Sequence, residues 1–337
     1  MKTIKAAMLG MGSVNINLLK IISEKQDRLA AEYGVAFKIV AATDSSGIAV
    51  DETGFDMMTL VGHKENGGRL SELPSFRGDR VQHIINALDV DLLFEATPVD
   101  LEIGGEALNI CRAALIRGVS VVLANKGPLV HAINELRELA RENGAGLEYS
   151  ATVCGGLPVL NIGKRDMIAG DITKLQGVFN GTSNFIIDAM ARGESFTDAV
   201  KEAQDVGAAE ADPSLDTGGW DTAFKLLIIA NTFMGVDISL DDISVEGIDK
   251  ITEEMIRAEA AVGNTIKLVA TAENGEFSVR PTEEPHDSFL GSITGWEMGV
   301  EIHSDIYGIS YHKLYEKEPV PTAASMMRDA VNIFRHH

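Results

Sequence analysis

The feature that most constrains this 337-residue sequence is an alternation of apolar strand patterns with helical patterns through its first half. A strand pattern at residues 3–9 is followed by a glycine-containing turn and a long amphipathic helix at residues 14–32. Further strand patterns cover residues 35–43, 90–96, 120–124 and 147–152. Strands that alternate with helices are typical of a parallel sheet with helices on both faces. We therefore predict an α/β fold with a doubly wound parallel sheet of the Rossmann type.

The pattern changes in two places. Residues 44–75 are polar and contain several glycines, so we expect an excursion with little regular structure there. After Ala151 the strands cluster without alternation, at residues 172–178, 267–272, 277–280, 299–302 and 305–309. Clustered strands of this kind predict a second, α+β domain with a mixed or antiparallel sheet.

The turn between the first strand and the first helix reads Gly-Met-Gly-Ser-Val-Asn from Gly10. The first glycine permits the sharp turn, and Gly12 lets the backbone approach a pyrophosphate that the helix N-terminus, at Ser13 and Val14, attracts. The third position of this dinucleotide-binding pattern is Asn15, where glycine or alanine is usual. The alternative interpretation is a tight turn in another kind of α/β protein.

Asp44 ends the second strand, where an acidic side chain accepts hydrogen bonds from the adenosine ribose of NAD. No lysine or arginine follows directly, so we predict a slight preference for NAD over NADP. Two other interpretations stay open: a solvated aspartate, and a basic residue such as Lys64 that folds back over the ribose.

The composition excludes several classes of partner. The chain has 29 Lys and Arg against 50 Asp and Glu, a net charge of −21, which argues against nucleic acid and anionic membranes. No apolar run reaches the ~18 residues of a membrane span, and no signal-peptide pattern is visible. Cys111 and Cys154 cannot form a disulfide framework. We expect a cytoplasmic protein that acts on a small molecule.

Four carboxylates precede Lys225 in the segment 207–225. Asp221 lies four residues before Lys225, so the two share one helix face. Apolar residues surround the lysine on both sides in the sequence, and a buried ammonium requires a carboxylate partner. We interpret the pair as lining a cavity; the alternative is a surface ion pair.

Two further polar clusters follow predicted strands. The first, at residues 177–184, contains Gly181 and Thr182 and can hold a polar substrate, or it is only a helix-capping turn. The second contains Asn125 and Lys126 at the carboxyl end of a strand, where open α/β sheets bind ligands. A solvated loop lysine is the alternative for Lys126.

Taken together, these motifs resemble the homoserine dehydrogenase family, in its short form without a regulatory domain. The matching segments lie in the family's order, at residues 10–14, 124–126, 151–158, 177–184, 210–216 and 221–225. The resemblance implies NAD(P)-dependent, reversible hydride transfer that interconverts aspartate 4-semialdehyde and homoserine. It also implies a homodimer.

The resemblance also implies roles for particular residues. Lys225, Asp221 and Lys126 match catalytic positions. The positions matching substrate contacts are Glu210, Asp216, Thr182 and Gly181. Those matching cofactor contacts are Gly10, Gly12, Ser13, Val14, Asp44, Thr97, Pro98, Lys126 and Gly207. Main-chain oxygens of Val153, Gly155 and Leu157 match a monovalent-cation site.

The sequence departs from the family at four places. Asn15 replaces a glycine, Ser150 replaces a glutamate near the cation site, and Ala208 replaces a tyrosine. Residues 315–320 lack the glycines of the family's loop that closes over the cofactor. Two alternatives stay open. Another dehydrogenase of the same architecture can act on a different amino acid or semialdehyde, and the degraded cofactor elements allow a non-catalytic nicotinamide-binding regulatory protein.

We predict a dinucleotide-binding domain at residues 1–132, completed by a C-terminal helix at 318–337. Residues 133–317 are predicted to form the substrate-binding and dimerisation domain.

Overall fold

The protein is described by a computed structural model that covers residues 1–101, 103–205, 209, 212–317 and 319–335. The chain divides into two compact units. The first contains Met1–Gly156 and Pro319–His337, and the second contains Leu157–Glu318. The domain boundary predicted at residue 132 falls inside the first unit.

A seven-stranded sheet forms the centre of the first unit. Its strands are β1 (Lys2–Leu9), β2 (Val35–Asp44), β3 (Gly47–Val50), β4 (Phe76–Gly78), β5 (Leu92–Glu95), β6 (Ser120–Leu123) and β7 (Leu147–Glu148). Their order is β4-β3-β2-β1-β5-β6-β7. The pairs β2–β1, β1–β5, β5–β6 and β6–β7 are parallel, whereas β2–β3 and β3–β4 are antiparallel. The predicted doubly wound fold is confirmed, and β1 and β5 are the neighbours at which the strand order reverses.

The expectation of little regular structure after Asp44 is wrong. The segment forms β3, a helix and β4, which extend the sheet by two antiparallel strands. The turn into β3 depends on Gly47, whose φ is +130°. A Cβ at this position would lie 2.2 Å from the carbonyl oxygen of Gly78, so only glycine permits this pairing.

The helices are numbered in chain order. They are α1 (Ser13–Tyr33), α2 (Met57–Glu65), α3 (Val81–Ala87), α4 (Gly105–Ile116), α5 (Gly127–Glu142), α6 (Val159–Asn161), α7 (Gly181–Ala191), α8 (Phe196–Asp205), α9 (Ser214–Thr217), α10 (Trp220–Phe233), α11 (Glu253–Ala261) and α12 (Val320–Phe334). Within the described ranges, no helix is both long and apolar enough to cross a membrane.

The core of the first unit lies between its sheet and two helices. Helix α1 buries one apolar face, and α12 returns from the end of the chain to pack beside it. The members include Ile4, Met8, Leu18, Leu19, Ile22, Phe94, Ala323, Met326 and Ala330. The C-terminal helix therefore belongs to the hydrophobic core of the first unit.

A six-stranded sheet organises the second unit. Its strands are β8 (Ile172–Val178), β9 (Ile243–Val245), β10 (Asn264–Glu273), β11 (Glu276–Pro285), β12 (Glu297–Ser304) and β13 (Gly308–Tyr315), in the order β13-β12-β8-β10-β11-β9. All pairs are antiparallel except β9 with β11. Strand β8 is central and leads into α7, which begins at the polar cluster predicted from the sequence.

Candidate functional site

The turn between β1 and α1 requires glycine at its first position. Gly10 has a φ of +81°. A Cβ there would lie 2.6 Å from the Ala96 carbonyl oxygen and 2.8 Å from the Thr97 Cα. The turn therefore runs directly against the segment that follows β5, a contact that any side chain at residue 10 would prevent.

Gly12 leaves the first turn of α1 open. It precedes the helix in an extended conformation, and no heavy atom lies within 4 Å of a Cβ built on it. Gly12 and Ser13 are exposed and Val14 is half-buried. Among the described residues no side chain caps this helix. The arrangement fits the diphosphate of a dinucleotide, which the N–H groups and dipole of a helix N-terminus bind.

The Asn15 side chain stabilises the same turn through hydrogen bonds. Its buried Nδ2 donates to the carbonyl oxygens of Leu9 (2.9 Å) and Gly10 (3.0 Å). The departure from the usual glycine therefore adds two hydrogen bonds at the end of β1.

The Asp44 carboxylate binds residues of the segment that follows β2. Its carboxylate accepts hydrogen bonds from Ser46 N (2.8 Å) and Leu70 N (3.0 Å), and it pairs with Lys64 Nζ at 2.5 Å. Burial alone would raise the pKa of Asp44, but the hydrogen bonds from Lys64, Ser46 and Leu70 outweigh it and lower this pKa to about 2. Lys64 is thus a basic residue of the excursion that folds back to the end of β2.

A second group of predicted cofactor residues lies at the carboxyl ends of β5 and β6. The buried Asn125 donates from Nδ2 to Thr97 Oγ1 (3.2 Å) and to the Pro98 carbonyl oxygen (3.4 Å). Its Oδ1 accepts from Gly127 N (2.9 Å), at the start of α5 beside Lys126. The structure therefore brings Thr97 and Pro98 together with the turn that carries Lys126.

Sequence reasoning missed Glu95, the last residue of β5. It is fully buried, and its Oε1 accepts hydrogen bonds from both the backbone N–H (2.9 Å) and the hydroxyl of Thr97. A glutamate in an otherwise apolar strand was the available signal.

The Asp221–Lys225 pair lies in the first turns of α10, as the spacing predicted. Lys225 Nζ lies 2.7 Å from Asp221 Oδ2, and the two side chains are only 11% and 12% exposed. The ammonium also donates to the Phe179 carbonyl oxygen at 2.6 Å. The lysine is therefore held at the junction between β8 and α7.

Asn180 connects this pair to a second carboxylate. Its Nδ2 donates to Asp221 Oδ2 (2.8 Å) and to Asp216 Oδ1 (2.6 Å), while its Oδ1 caps α7 by accepting from Ser183 N (2.7 Å). The cap fixes the start of α7, where Gly181 lies and where Thr182 is buried. Asn180, a member of the polar cluster predicted at residues 177–184, thus joins two predicted site residues.

Two predicted residues, Glu210 and Gly207, lie outside the described residues, as does Ala208.

A second buried lysine supports α7. Lys267 on β10 is 1% exposed, and its Nζ contacts Asp188 Oδ1 (2.9 Å) and Asn184 Oδ1 (3.0 Å). Gly295 completes the network, because its N–H donates to Asp188 and its carbonyl oxygen accepts from Asn184. One lysine within a strand pattern gave no sequence signal for these contacts.

Two of the three carbonyl groups of the predicted cation site accept hydrogen bonds within the protein. The Gly155 oxygen accepts from Ser325 Oγ (2.8 Å), and the Leu157 oxygen accepts from Val159 N (2.8 Å). Val153 is fully buried. Each carbonyl oxygen has a second lone pair, so a cation ligand at these positions is compatible with both hydrogen bonds.

Ser150, which replaces a glutamate of the family, binds Asp329 on α12. The Ser150 N–H donates to Asp329 Oδ2 (2.8 Å), and its hydroxyl donates to Oδ1. Burial raises the pKa of Asp329 to about 6. The substitution therefore directs a polar contact to the C-terminal helix.

The doubly wound sheet, the open glycine turn and the buried Asp–Lys pair together define a dinucleotide-dependent dehydrogenase. The homoserine dehydrogenase family model matches residues 158–331. The homoserine dehydrogenase of Methanocaldococcus jannaschii is 33% identical over 333 residues, 97% of each chain. The chain belongs to the homoserine dehydrogenase family, and the resemblance of its motifs is confirmed.

The chain is also similar to other homoserine dehydrogenases, in sequence and in structure. The NAD(+)-dependent homoserine dehydrogenase of Pseudomonas canavaninivorans is 33% identical, covering 98% of this chain and 96% of its own. A putative homoserine dehydrogenase from Archaeoglobus fulgidus superimposes with a TM-score of 0.88 at 33% identity, covering 99% and 100%. A hyperthermophilic archaeal homoserine dehydrogenase in complex with NADPH has a TM-score of 0.85 at 27% identity, covering 98% and 97%.

Proposed function

We propose that this chain is an NAD(P)-dependent homoserine dehydrogenase that interconverts aspartate 4-semialdehyde and homoserine. The observation that carries the proposal is the buried Asp221–Lys225 pair, held by the Phe179 carbonyl oxygen and by Asn180. A lysine ammonium in such surroundings suits a reaction in which negative charge develops on an oxygen.

Lys225 acts on the oxygen of the substrate aldehyde. A nicotinamide cofactor, when bound, would supply the hydride for the aldehyde carbon. The Lys225 ammonium donates a hydrogen bond to the oxygen, stabilises the developing alkoxide and transfers a proton to it, so that C=O becomes CH–OH. Asp221 orients the ammonium and stabilises its charge before the transfer.

Carboxylates hold the ammonium of the amino-acid substrate. We assign this role to Glu210 and Asp216, with Gly181 and Thr182 lining the same site. The hydrogen bond from Asn180 to Asp216 supports the assignment, because one side chain ties this carboxylate to the residue that orients Lys225.

The first unit holds the cofactor. We assign its diphosphate to the turn at Gly10, Gly12, Ser13 and Val14. The other contacts are assigned to Thr97, Pro98, Lys126 and Gly207. The close approach at Gly10 and the open helix start at Gly12 support this assignment.

NAD is the preferred cofactor. Asp44 ends β2, and Lys64, the cation that would attract a 2′-phosphate, is paired with it and donates to the Gly68 carbonyl oxygen at 2.8 Å. A 2′-phosphate must compete with Asp44 for this lysine.

Main-chain oxygens of Val153, Gly155 and Leu157 bind a monovalent cation in this proposal. The active form is a cytoplasmic homodimer. Edge strand β13 supports the dimer, because its Ile309, Tyr311 and Tyr315 are each more than half exposed along one face of the strand.

The experiment measures NADH oxidation by the purified protein with aspartate 4-semialdehyde and identifies homoserine as the product. Glutamate 5-semialdehyde, one methylene longer, is the matched control substrate. Homoserine formation with a clear preference for the shorter aldehyde supports the proposal. Equal turnover of both aldehydes indicates another dehydrogenase, and no turnover with retained NADH binding indicates a non-catalytic protein.

A further inference from the structure

Glu95 is a buried acid that the proposed chemistry does not use. It ends β5 between Leu9 of β1 and Leu123 of β6, and none of its surface is exposed. Oε1 accepts two hydrogen bonds from Thr97, whereas Oε2 has no partner among the residues that the structure describes. Burying an ionised carboxylate with an unsatisfied oxygen is costly, which favours the neutral acid.

Glu95 is also the buried end of a chain of hydrogen bonds. Thr97 donates to Glu95 and accepts from Asn125 Nδ2 at 3.2 Å, and Asn125 in turn accepts from Gly127 N. This chain joins the segment after β5 to the turn after β6. Those two segments carry Thr97, Pro98 and Lys126, which the proposed function assigns to the cofactor.

We propose that Glu95 is a positioning residue for the nicotinamide cofactor, and that its uncharged form supports tight binding. The inference rests on the proposed function, because it takes these two segments as part of the cofactor site. A carboxylate ionised behind them places negative charge near an anionic dinucleotide without surrounding water to screen it. The neutral acid keeps the acceptor for Thr97 and removes that charge.

The groups around Glu95 are compatible with titration near neutral pH. Burial raises the pKa of Glu95 to about 7, against the hydrogen bonds from Thr97 that lower it. Cys111 faces it from α4, and burial, together with the charge of Glu95, raises the pKa of this thiol so that it stays neutral. Among the described residues, the charged side chains of the two adjoining segments are Asp100 and Lys126.

The test measures the Kd of NADH by direct binding, without amino-acid substrate, one pH unit on either side of the Glu95 pKa of about 7. For the wild type we expect Kd to rise with pH, by up to about tenfold per unit above the pKa. Glu95→Gln keeps an acceptor for Thr97 and cannot ionise, so its Kd should stay near the wild-type value at low pH. Glu106→Gln, an exposed acid on α4, is the matched control and should follow the wild type.

A second readout uses the cofactor-free protein. The pKa of Glu95 in the folded protein, about 7, lies above its ordinary value of 4.5. Protonated Glu95 therefore contributes its full stabilisation of the folded state below pH 4.5. It is lost as pH rises through the folded-state value. The Tm of the wild type should therefore fall relative to that of Glu95→Gln as pH increases through this interval.

Several outcomes would overturn the inference. A Glu95→Gln protein that loses NADH affinity with pH as the wild type does contradicts it, as does a wild type with no pH dependence. Failure of Glu95→Gln to fold at the lower pH also contradicts it, since glutamine copies the neutral acid. A wild type that binds no NADH at either pH contradicts the proposed function as well as the inference. A wild type that binds NADH without pH dependence contradicts only the inference about Glu95.

Discussion

Two of the protein's aspartate–lysine ion pairs, Asp44–Lys64 in the first unit and Asp221–Lys225 in the second, differ in what the fold requires of them. Asp44 and Lys64 lie 2.5 Å apart with side chains 9% and 12% exposed. Asp221 and Lys225 lie 2.7 Å apart with side chains 12% and 11% exposed. Distance and burial therefore do not distinguish the pairs, and their surroundings must.

The first pair closes a loop. Asp44 ends β2 and Lys64 lies on α2, and the same carboxylate binds Ser46 and the backbone of Leu70. These contacts hold the excursion between β2 and β4 against the sheet. The local structure needs this pair whether or not a ligand binds.

The second pair closes no loop. Asp221 and Lys225 are one turn apart on α10, and an i,i+4 pair stabilises a helix by only about 0.2–0.5 kcal/mol. Burying both charges costs more than this. Helix stability alone does not explain the buried position of Lys225, which agrees with the chemical role proposed for it. The comparison teaches that the contacts around an ion pair indicate its purpose better than its distance or burial.

After the lysine itself, the largest effect on kcat is expected at Asn180, which donates a hydrogen bond to Asp221. Asn180→Ala removes the amide that donates to Asp221 and Asp216 and the cap of α7. Because small displacements of catalytic groups are costly, kcat should fall about 10- to 100-fold. Steady-state kinetics checks this, with Asn184→Ala as a neighbouring variant on the same helix. An unchanged kcat would mean that Asp221 needs no orientation.

A smaller effect is expected at Glu210. Glu210→Gln removes a charged partner of the substrate ammonium, worth about 1.5 kcal/mol, or roughly tenfold in KM for homoserine. The KM for NAD should not change. Equal increases in both KM values would contradict an assignment of Glu210 to the amino-acid side of the reaction.

The smallest effect is expected at Asp44. Asp44→Ala releases Lys64 toward a 2′-phosphate, so kcat/KM should shift toward NADPH by about fivefold, as a partly screened ion pair permits. The comparison requires NADH and NADPH at one ionic strength. A wild type that prefers NADPH, or a variant whose preference does not move, would remove Asp44 from cofactor selection.

The sequence predicted those parts of the structure that depend on neighbouring residues. The alternation of β1, α1 and β2 and the one-turn spacing of Asp221 and Lys225 follow from local periodicity. The β3–β4 extension could not be predicted in the same way, because Gly47 is required by its contact with Gly78, far along the chain.

The hydrogen-bond partners of the predicted site residues could not be predicted from local sequence patterns either, because they lie far away in the sequence. Asn180, in the turn between β8 and α7, binds Asp216 and Asp221, and Lys267 on β10 binds Asp188 on α7. These side chains meet only in the folded chain. The sequence therefore predicted these charged residues and the polar cluster that contains Asn180, but not the hydrogen bonds that connect them.

The most direct test of the account changes the lysine of each pair and compares the two variants. Lys225→Ala and Lys64→Ala each remove one buried ammonium, and kcat is measured with aspartate 4-semialdehyde and saturating NADH. We predict that Lys225→Ala lowers kcat by about 10²- to 10⁴-fold, the range for a general acid. Lys64→Ala should stay within about threefold of the wild type, as expected for an ion pair outside the chemical step. A Lys225→Ala variant that keeps wild-type kcat, or a Lys64→Ala variant that loses as much, would contradict the account.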